Sequence, residues 1–218
     1  MKTLKIDLKR EIFPISLIIL MFAVSFYFYK NFPETVPIHW DINGNVDGWG
    51  SALTGAFLIP AITALMYIVL LLVPFIDPKK ERYTEFEKPY HIFKNMIVLF
   101  VTAIHFMAGA YGLGYNIPMD RVILVLVGML FLVIGNYMGK IKSNWMIGIR
   151  TPWTLSNEDV WNKSNRLGGK MFVVGGLIFI INALFLRLNM GVITIVVLIL
   201  IALVPIVYSY FAFKKQQK

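Results

Sequence analysis

Residues 57–76 read FLIPAITALMYIVLLLVPFI, an apolar stretch without a charged side chain. An α-helix rises about 1.5 Å per residue, so a helix of this length matches the hydrocarbon core of a bilayer, which is about 30 Å thick. The whole chain is similar in character, because 58% of its 218 residues are hydrophobic and 15% are charged. Soluble domains carry about 45–50% apolar and about 25% charged residues. The composition therefore excludes a disordered chain and an ordinary soluble enzyme, and it indicates a membrane protein.

Six windows in all are long and apolar enough to cross the membrane. They are residues 12–29, 57–76, 92–113, 122–138, 171–188 and 192–213. The first window follows Lys9, Arg10 and Glu11 and precedes no small-residue cleavage site, so we interpret it as a retained span and not as a signal peptide. The sequence predicts an all-α polytopic membrane protein with six transmembrane helices.

Basic residues are distributed unevenly between alternate loops. One side of the predicted topology holds 18 Lys and Arg side chains, including Lys94, and the other side holds only Lys30, Arg121 and Arg187. Because cytoplasmic loops are enriched in basic residues, both termini are predicted to be cytoplasmic. With the acidic residues counted, the inner face carries about +10 and the outer face about −1. The net charge of +9 is thus explained by topology, and no direct nucleic-acid partner is expected.

Groups that could carry out catalysis are sparse in this sequence. The chain has no cysteine, which excludes disulfides, thiol catalysis and Cys-ligated metals. It also contains no phosphate-binding glycine loop, no HExxH motif and no G-x-S-x-G motif. We therefore expect neither an enzyme nor a cofactor.

The predicted outer loop, residues 30–56, contains FPETVPIHWDINGNVDGWGS at residues 32–51. Apolar residues alternate on both sides of Pro37, and Asn43-Gly44 is a two-residue turn signal because both positions tolerate positive φ. A short β-hairpin is the expected structure. Its candidate binding residues are His39, Trp40, Asp41, Asn43, Gly44, Asp47 and Trp49.

The polar residues of the outer loop allow two interpretations. Oxygen ligands at Asp41, Asn43 and Asp47 are close enough in sequence to gather around a hard cation. An EF-hand loop would need glycine and glutamate where this chain has Val46 and Ala52, so no metal site is assigned. Alternatively, the two tryptophans seat the loop at the outer lipid interface, and the histidine is a surface hydrogen-bonding residue.

The predicted inner loop, residues 139–170, contains NWMIGIRTPWTLSNEDVW at residues 144–161. Pro152 disfavours helical backbone at Thr151, so residues 148–154 are expected to be extended or turning. Ser156 is expected to cap a short amphipathic helix that lies along the inner interface and ends at Gly168-Gly169.

Arg150 is the most distinctive residue of this inner loop. Its planar guanidinium suits a lipid phosphate or a carboxylate such as Glu158, and nearby tryptophans could stack on it. The loop is thus either anchored to lipid headgroups or shaped for a protein partner. The candidate partner-binding residues are Asn144, Gly148, Arg150, Thr151, Pro152, Trp153, Trp161 and Arg166.

Three polar side chains, His105, Asn136 and Asn182, lie within the predicted spans. Packing and interhelical hydrogen bonds are their expected roles, and a polar pathway through a small transporter or channel is the alternative. Small residues predict close contacts between helices, and they include Ala108 with Gly112, Gly135 with Gly139, and Gly175-Gly176.

Two motifs carry a resemblance to a known family. The outer pattern P-x-x-V-P-I-H-W-x-x-N-G-x-x-D-G-W, residues 33–49, resembles the DUF1648 domain, and the inner octet GIRTPWTL, residues 148–155, resembles the SdpI family signature. Ser164-Asn165 departs from that family, in which Thr-His is common before the Arg-Leu-Gly-Gly run. The resemblance divides the chain into a DUF1648-like region (1–76), a charged linker with the third span (77–121) and an SdpI-like region (122–218).

The resemblance implies a multispan immunity and signalling protein of the bacterial cell membrane. Such a protein would bind a secreted toxic peptide, SdpC, at its outer face, and it would draw a cytoplasmic autorepressor, SdpR, to its inner face. Membrane lipids are its other expected partners. A small membrane transporter or channel is the alternative function.

Overall fold

The computed structural model describes residues 5–217. Six helices in this range are long and apolar enough to cross a membrane. The helices are α1 Leu8–Asn31, α2 Ala52–Ile76, α3 Glu87–Gly112, α4 Met119–Met138, the short α5 Pro152–Ser156, α6 Glu158–Ile181 and α7 Met190–Gln216. Strands β1 Thr35–Trp40 and β2 Val46–Ser51 form the expected antiparallel hairpin. The six-helix membrane architecture is thus confirmed, and the cytoplasmic location of both termini stays a prediction.

Several of these helices have a capping side chain at the N-terminus. Asp7, Ser51 and Asn189 accept hydrogen bonds from backbone N–H groups in the first turns of α1, α2 and α7. Asn157 caps α6 in the same way, with Val160 N at 3.0 Å. The prediction of a Ser156 cap was wrong, because Ser156 is the last residue of α5.

The helices pack as two groups of three. One group contains α1, α2 and α3, and the other contains α4, α6 and α7, with α3 and α4 in contact between them. The hairpin lies on α2 and α3. Its Val36 is 1% exposed, and a Cβ on Gly55 of α2 would lie 2.3 Å from Val36 Cγ2, so only glycine lets the strand sit this close.

Helices α4 and α6 approach each other backbone to backbone at two levels. A Cβ added at Gly135 would lie 2.5 Å from the Gly169 carbonyl oxygen, and one at Gly128 would lie 2.7 Å from the Gly176 carbonyl oxygen. Close contacts were therefore predicted correctly at Gly135 and Gly176. The prediction that Gly168-Gly169 ends a separate interfacial helix was wrong, because α6 continues unbroken through both glycines, which admit α4 and the inner loop.

The end of α6 departs from regular helical geometry. A π-helical segment, Asn182–Leu186, follows α6 and ends at Arg187, which has φ 51° and ψ 33°. Arg187 is the only non-glycine residue with positive φ within residues 5–217. Asn182 stabilises this turn, since its carbonyl oxygen accepts from Arg187 N at 2.9 Å and its Oδ1 accepts from Leu188 N at 3.0 Å.

Candidate functional site

The tip of the hairpin is organised by Asp41. Asp41 Oδ1 accepts hydrogen bonds from the backbone N–H groups of Asn43 (2.9 Å) and Asn45 (2.8 Å), and Oδ2 accepts from Asn45 Nδ2 (3.1 Å). These bonds, those from Asn45 above all, lower the pKa of Asp41. The predicted two-residue turn was wrong: Trp40 pairs with Val46, which leaves a five-residue loop in which only Gly44 has positive φ.

His39 and Asp47 form an exposed hydrogen-bonded contact between the two strands. His39 Nδ1 lies 2.5 Å from Asp47 Oδ1, and both side chains are largely exposed. Asp47 is thus engaged by His39, whereas Asp41 is engaged by residues of the hairpin tip. The contact also makes His39 a surface hydrogen-bonding residue, as expected from the sequence.

The two hairpin tryptophans have different environments. Trp40 is half-buried and packs edge-on against Tyr111 of α3, with ring centroids 5.4 Å apart. Trp49 is 61% exposed. Together with exposed Ile38 and Ile42, Trp49 gives the hairpin an apolar outer surface. The expectation of two interfacial anchors therefore fits Trp49, whereas Trp40 fixes the hairpin to the bundle.

Asn144 forms the centre of the inner loop and is completely buried. Its Oδ1 accepts from the N–H groups of Met146 and Ile147, both at 2.8 Å, and its Nδ2 donates to the carbonyl oxygens of Lys142 and Ile147. Since all these partners lie within three residues, Asn144 folds the loop around itself. Its contribution to partner binding remains a prediction and would act through loop shape.

Trp161 and Gly148 belong to the same buried framework. Trp161 is completely buried and donates from Nε1 to the Ile141 carbonyl oxygen at 2.8 Å. Gly148 has φ 107°, and a Cβ there would lie 2.7 Å from Asn165 Oδ1. That Oδ1 also accepts from Ile149 N at 2.9 Å. Asn165 thus holds the GIRTPWTL segment against α6.

Thr151 and Trp153 attach the same segment to α7. The Thr151 hydroxyl lies 3.0 Å from Ser209 Oγ, and it caps α5 by accepting from Thr154 N. Thr151 is extended, as Pro152 predicts, but the expected extended segment ends there because residues 152–156 are helical. Trp153 packs edge-on against Tyr210 with ring centroids 5.1 Å apart.

Arg150 is exposed at the surface of this loop. Its Nη1 donates to the Trp145 carbonyl oxygen at 2.6 Å. The predicted pairing with Glu158 was wrong, because Glu158 binds Arg82 Nη2 at 2.5 Å. No tryptophan ring lies over the Arg150 guanidinium in the described part of the chain. Together with Arg150, the exposed inner candidates are Pro152 and Arg166.

Asp77 links the inner loop to α2 and was missed by the sequence analysis. Its Oδ2 accepts from Trp145 N at 3.0 Å and from the Tyr83 hydroxyl at 2.9 Å, while Oδ1 accepts from Lys79 N at 2.7 Å. Burial and this carboxylate raise the pKa of Tyr83. The stretch after α2 is therefore folded against the inner loop and is more than a solvated linker.

The three polar residues of the spans differ in role. His105 Nε2 lies 3.2 Å from Ser25 Oγ, which also donates to the carbonyl oxygen of Ala56, so the contact joins α1, α2 and α3. This confirms the packing interpretation for His105. Asn136 is exposed and donates to the Leu132 carbonyl oxygen of its own helix, and Asn182 caps the end of α6, so the expected interhelical bonds were wrong for these two.

A buried ion pair was also missed. Lys94 Nζ lies 2.6 Å from Glu11 Oε1 and 2.5 Å from Oε2, and Tyr67 donates its hydroxyl to Oε2 at 2.7 Å. Glu11 and Lys94 are 2% and 1% exposed. Both charges were predicted to lie in the loops, although Lys94 lies inside the third apolar window. That position was the signal for a charge within the bundle.

These features define a polytopic membrane protein with a hairpin at one end of its bundle and a folded polar loop at the other. Residues 140–209 match the SdpI/YfhL protein family, and residues 16–64 match DUF1648, a domain of unknown function. The match to the SdpI/YfhL family covers the inner loop and the helices that follow it, as the motif at residues 148–155 predicted.

The similarity extends over almost the whole chain in one relative. The chain is 29% identical over 208 residues to Immunity protein SdpI of Bacillus subtilis (strain 168). The alignment covers 95% of this chain and 98% of that relative. No solved structure matches the chain.

Proposed function

We propose that this protein is a membrane immunity protein that binds a secreted toxic peptide at its outer face. The similarity to Immunity protein SdpI across 95% of the chain carries this proposal. That similarity includes both the outer hairpin and the inner loop, so it covers the whole architecture and not one shared segment.

The hairpin is the proposed contact surface for the peptide. Trp49, Ile38 and Ile42 expose apolar area beside the His39–Asp47 pair, and amphipathic surfaces of this kind suit amphipathic peptides. The predicted charge of about −1 on this face favours a cationic ligand. Asp41, Asn43 and Gly44 support the surface by shaping the hairpin tip.

The inner loop is the proposed contact surface for a cytoplasmic repressor. Arg150, Pro152 and Arg166 are its exposed candidate residues, with Trp153 half-buried beside them. A bound peptide would have to favour one arrangement of the bundle that also binds the repressor better. This relay requires both termini on the cytoplasmic side, as the distribution of basic residues predicts.

Deleting the gene is expected to sensitise its host to concentrated culture supernatant of the parent strain, measured by killing curves. A plasmid copy of the wild-type gene should restore protection. A Trp49→Ala copy should restore much less protection. An aromatic side chain that becomes buried in the complex contributes about 2 kcal/mol, or about 30-fold in affinity. Tyr115→Ala removes another highly exposed aromatic side chain of the predicted outer face and is the matched control. Unchanged killing of the deletion strain would overturn the proposed immunity function.

Arg150→Lys is expected to lower protection about tenfold, since lysine keeps the charge but loses bidentate geometry towards a carboxylate or phosphate. Arg150→Gln should lower protection at least as much. Lys170→Gln, which removes an exposed charge of the same sign from α6, should leave the killing curve unchanged. Wild-type protection by the lysine variant would reduce Arg150 to a general positive anchor.

A further inference from the structure

Two of the three basic residues on the predicted outer face line one cleft. This cleft of about 260 Å³, called here the arginine cleft, lies between the hairpin tip and the starts of α4 and α7. It is lined by Asn43, Asp120, Arg121, Arg187, Leu188, Asn189 and Met190. Two arginines therefore line one cleft on a face whose predicted net charge is about −1.

In the described part of the chain, the guanidinium groups of the arginine cleft have no side-chain partners. Arg121 Nε is buried without a hydrogen-bond partner. Within residues 5–217, neither arginine forms an ion pair or a side-chain hydrogen bond, and Asp120 forms no ion pair with them. A buried unpaired donor on a charged group is costly, so an acceptor bound there would relieve it.

The backbone at Arg187 supports a functional role for the cleft. Its left-handed conformation costs about 1–2 kcal/mol for a non-glycine residue. The two hydrogen bonds accepted by Asn182 hold this conformation, and π segments and such backbone outliers are concentrated at functional sites. The turn thus fixes the backbone of Arg187 beside the cleft.

Both helices that border the cleft begin there. The first residues of α4 and α7 are Met119 and Met190, and helix N-termini carry partial positive charge. The hairpin tip fixes their relative positions: a Cβ on Gly44 would lie 2.9 Å from Asp120 Cβ, and one on Gly191 would lie 3.5 Å from Ile42 Cγ2. The helix ends therefore add to the positive potential of the arginines.

We propose that the arginine cleft binds the free carboxylate of an extracellular peptide. The two arginines and Asp120 sum to one positive charge, which matches a monoanion. Asn43 offers its amide group for peptide N–H and C=O groups, and Asn189, whose Oδ1 caps α7, offers its Nδ2 donor. A phospholipid is disfavoured because five of the seven lining residues are polar, which suits the polar groups along a peptide chain.

That the carboxylate belongs to a secreted peptide rests on the immunity function proposed above. That the cleft binds a carboxylate does not depend on that function. The guanidinium fork suits a carboxylate because two parallel N–H donors meet its two oxygens. Peptide recognition at this end of the bundle would place the carboxylate in the cleft and the rest of the peptide across the hairpin. The cleft and Trp49 would then contribute separately to affinity.

Arginine labelling by phenylglyoxal, read by mass spectrometry at each residue, tests the cleft directly. The purified chain in phosphatidylcholine vesicles is labelled with and without N-acetylglycine, with N-acetylglycinamide as the uncharged probe. Labelling of Arg187 should fall about fivefold with N-acetylglycine only, since the bound carboxylate occupies the guanidinium donors. Equal protection by the amide, or none by either probe, would overturn the proposal.

Variants test whether the labelling protection depends on the cleft arginines and not on other basic residues of the outer face. Arg121→Gln should abolish protection of Arg187, and Arg121→Lys should retain part of it if the glutamine variant does not fold. Lys30→Gln, which removes the third outer basic residue, should retain full protection. Protection by phosphatidylglycerol in the vesicles, without protection by N-acetylglycine, would assign the cleft to lipid and overturn the peptide proposal.

The killing assay then identifies the source of the carboxylate. An Arg121→Gln, Arg187→Gln double variant, which has no cleft arginine left to label, should lose immunity. Full immunity in a folded double variant would overturn the peptide as ligand while leaving the immunity function intact. If the gene deletion itself has no effect, immunity fails, and a positive labelling result still establishes the carboxylate site.

Discussion

Replacing Gly135 by alanine is expected to destabilise the protein by about 3 kcal/mol, the upper part of the range for an overpacked site. The added Cβ would lie 2.5 Å from the Gly169 carbonyl oxygen. That atom is backbone, so it cannot move aside as a side chain would. Gly169→Ala should cost about the same, because its Cβ would lie 2.6 Å from the Gly135 carbonyl oxygen.

Gly139→Ala is the matched control for this prediction. Gly139 lies one turn further along, and its Cβ would be 3.5 Å from the nearest atom, Arg166 Cα, which is ordinary contact. Alanine also lowers the conformational entropy of the unfolded chain, so this variant should be neutral or slightly stabilising. Unfolding by SDS titration in mixed micelles measures all three variants. Equal free energies of unfolding for Gly135→Ala and Gly139→Ala would show that α4 and α6 are not in backbone contact.

The spans were predictable because membrane crossing depends on the length and hydropathy of a contiguous segment. Residues 57–76 contain enough information to be recognised alone, and the helix found is Ala52–Ile76. Whether a helix ends at Gly168-Gly169, in contrast, is not decided by the local sequence. Glycine disfavours helices by about 1 kcal/mol, which suggested a helix end, but close packing on α4 outweighs that preference.

The candidate loops were predictable in location more than in detail. The hairpin follows from its alternating pattern, but its tip is set by the hydrogen bonds of Asp41 to the backbone that follows it, and the Asn43-Gly44 signal does not include them. Glu158 lies close to Arg150 in sequence, yet it binds Arg82, which is brought near by packing of the segment after α2. Trp161 looks like an interfacial residue until folding brings the Ile141 carbonyl to its indole.

Lys94→Met alone is expected to destabilise the protein by about 3–5 kcal/mol, because it leaves Glu11 as an uncompensated buried charge. Glu11→Gln should cost a similar amount, since it leaves Lys94 unpaired and weakens the hydrogen bond from Tyr67. The partners are separated by 83 residues, so they connect the starts of α1 and α3. Neither residue's sequence neighbours identify the other, which explains why a pattern search misses the pair.

The double variant Glu11→Leu, Lys94→Met is expected to be far more stable than the sum of its single changes, because both charges leave the interior together and apolar groups replace them. SDS titration gives the free energies of unfolding for this double-mutant cycle, with Glu11→Leu as the other single variant. Asp159→Asn is the control, since its pair with Lys163 is half-exposed and should contribute less than about 1 kcal/mol. Additive losses at Glu11 and Lys94 would mean that the two charges are solvated separately, because only a shared buried contact makes the second substitution compensate for the first.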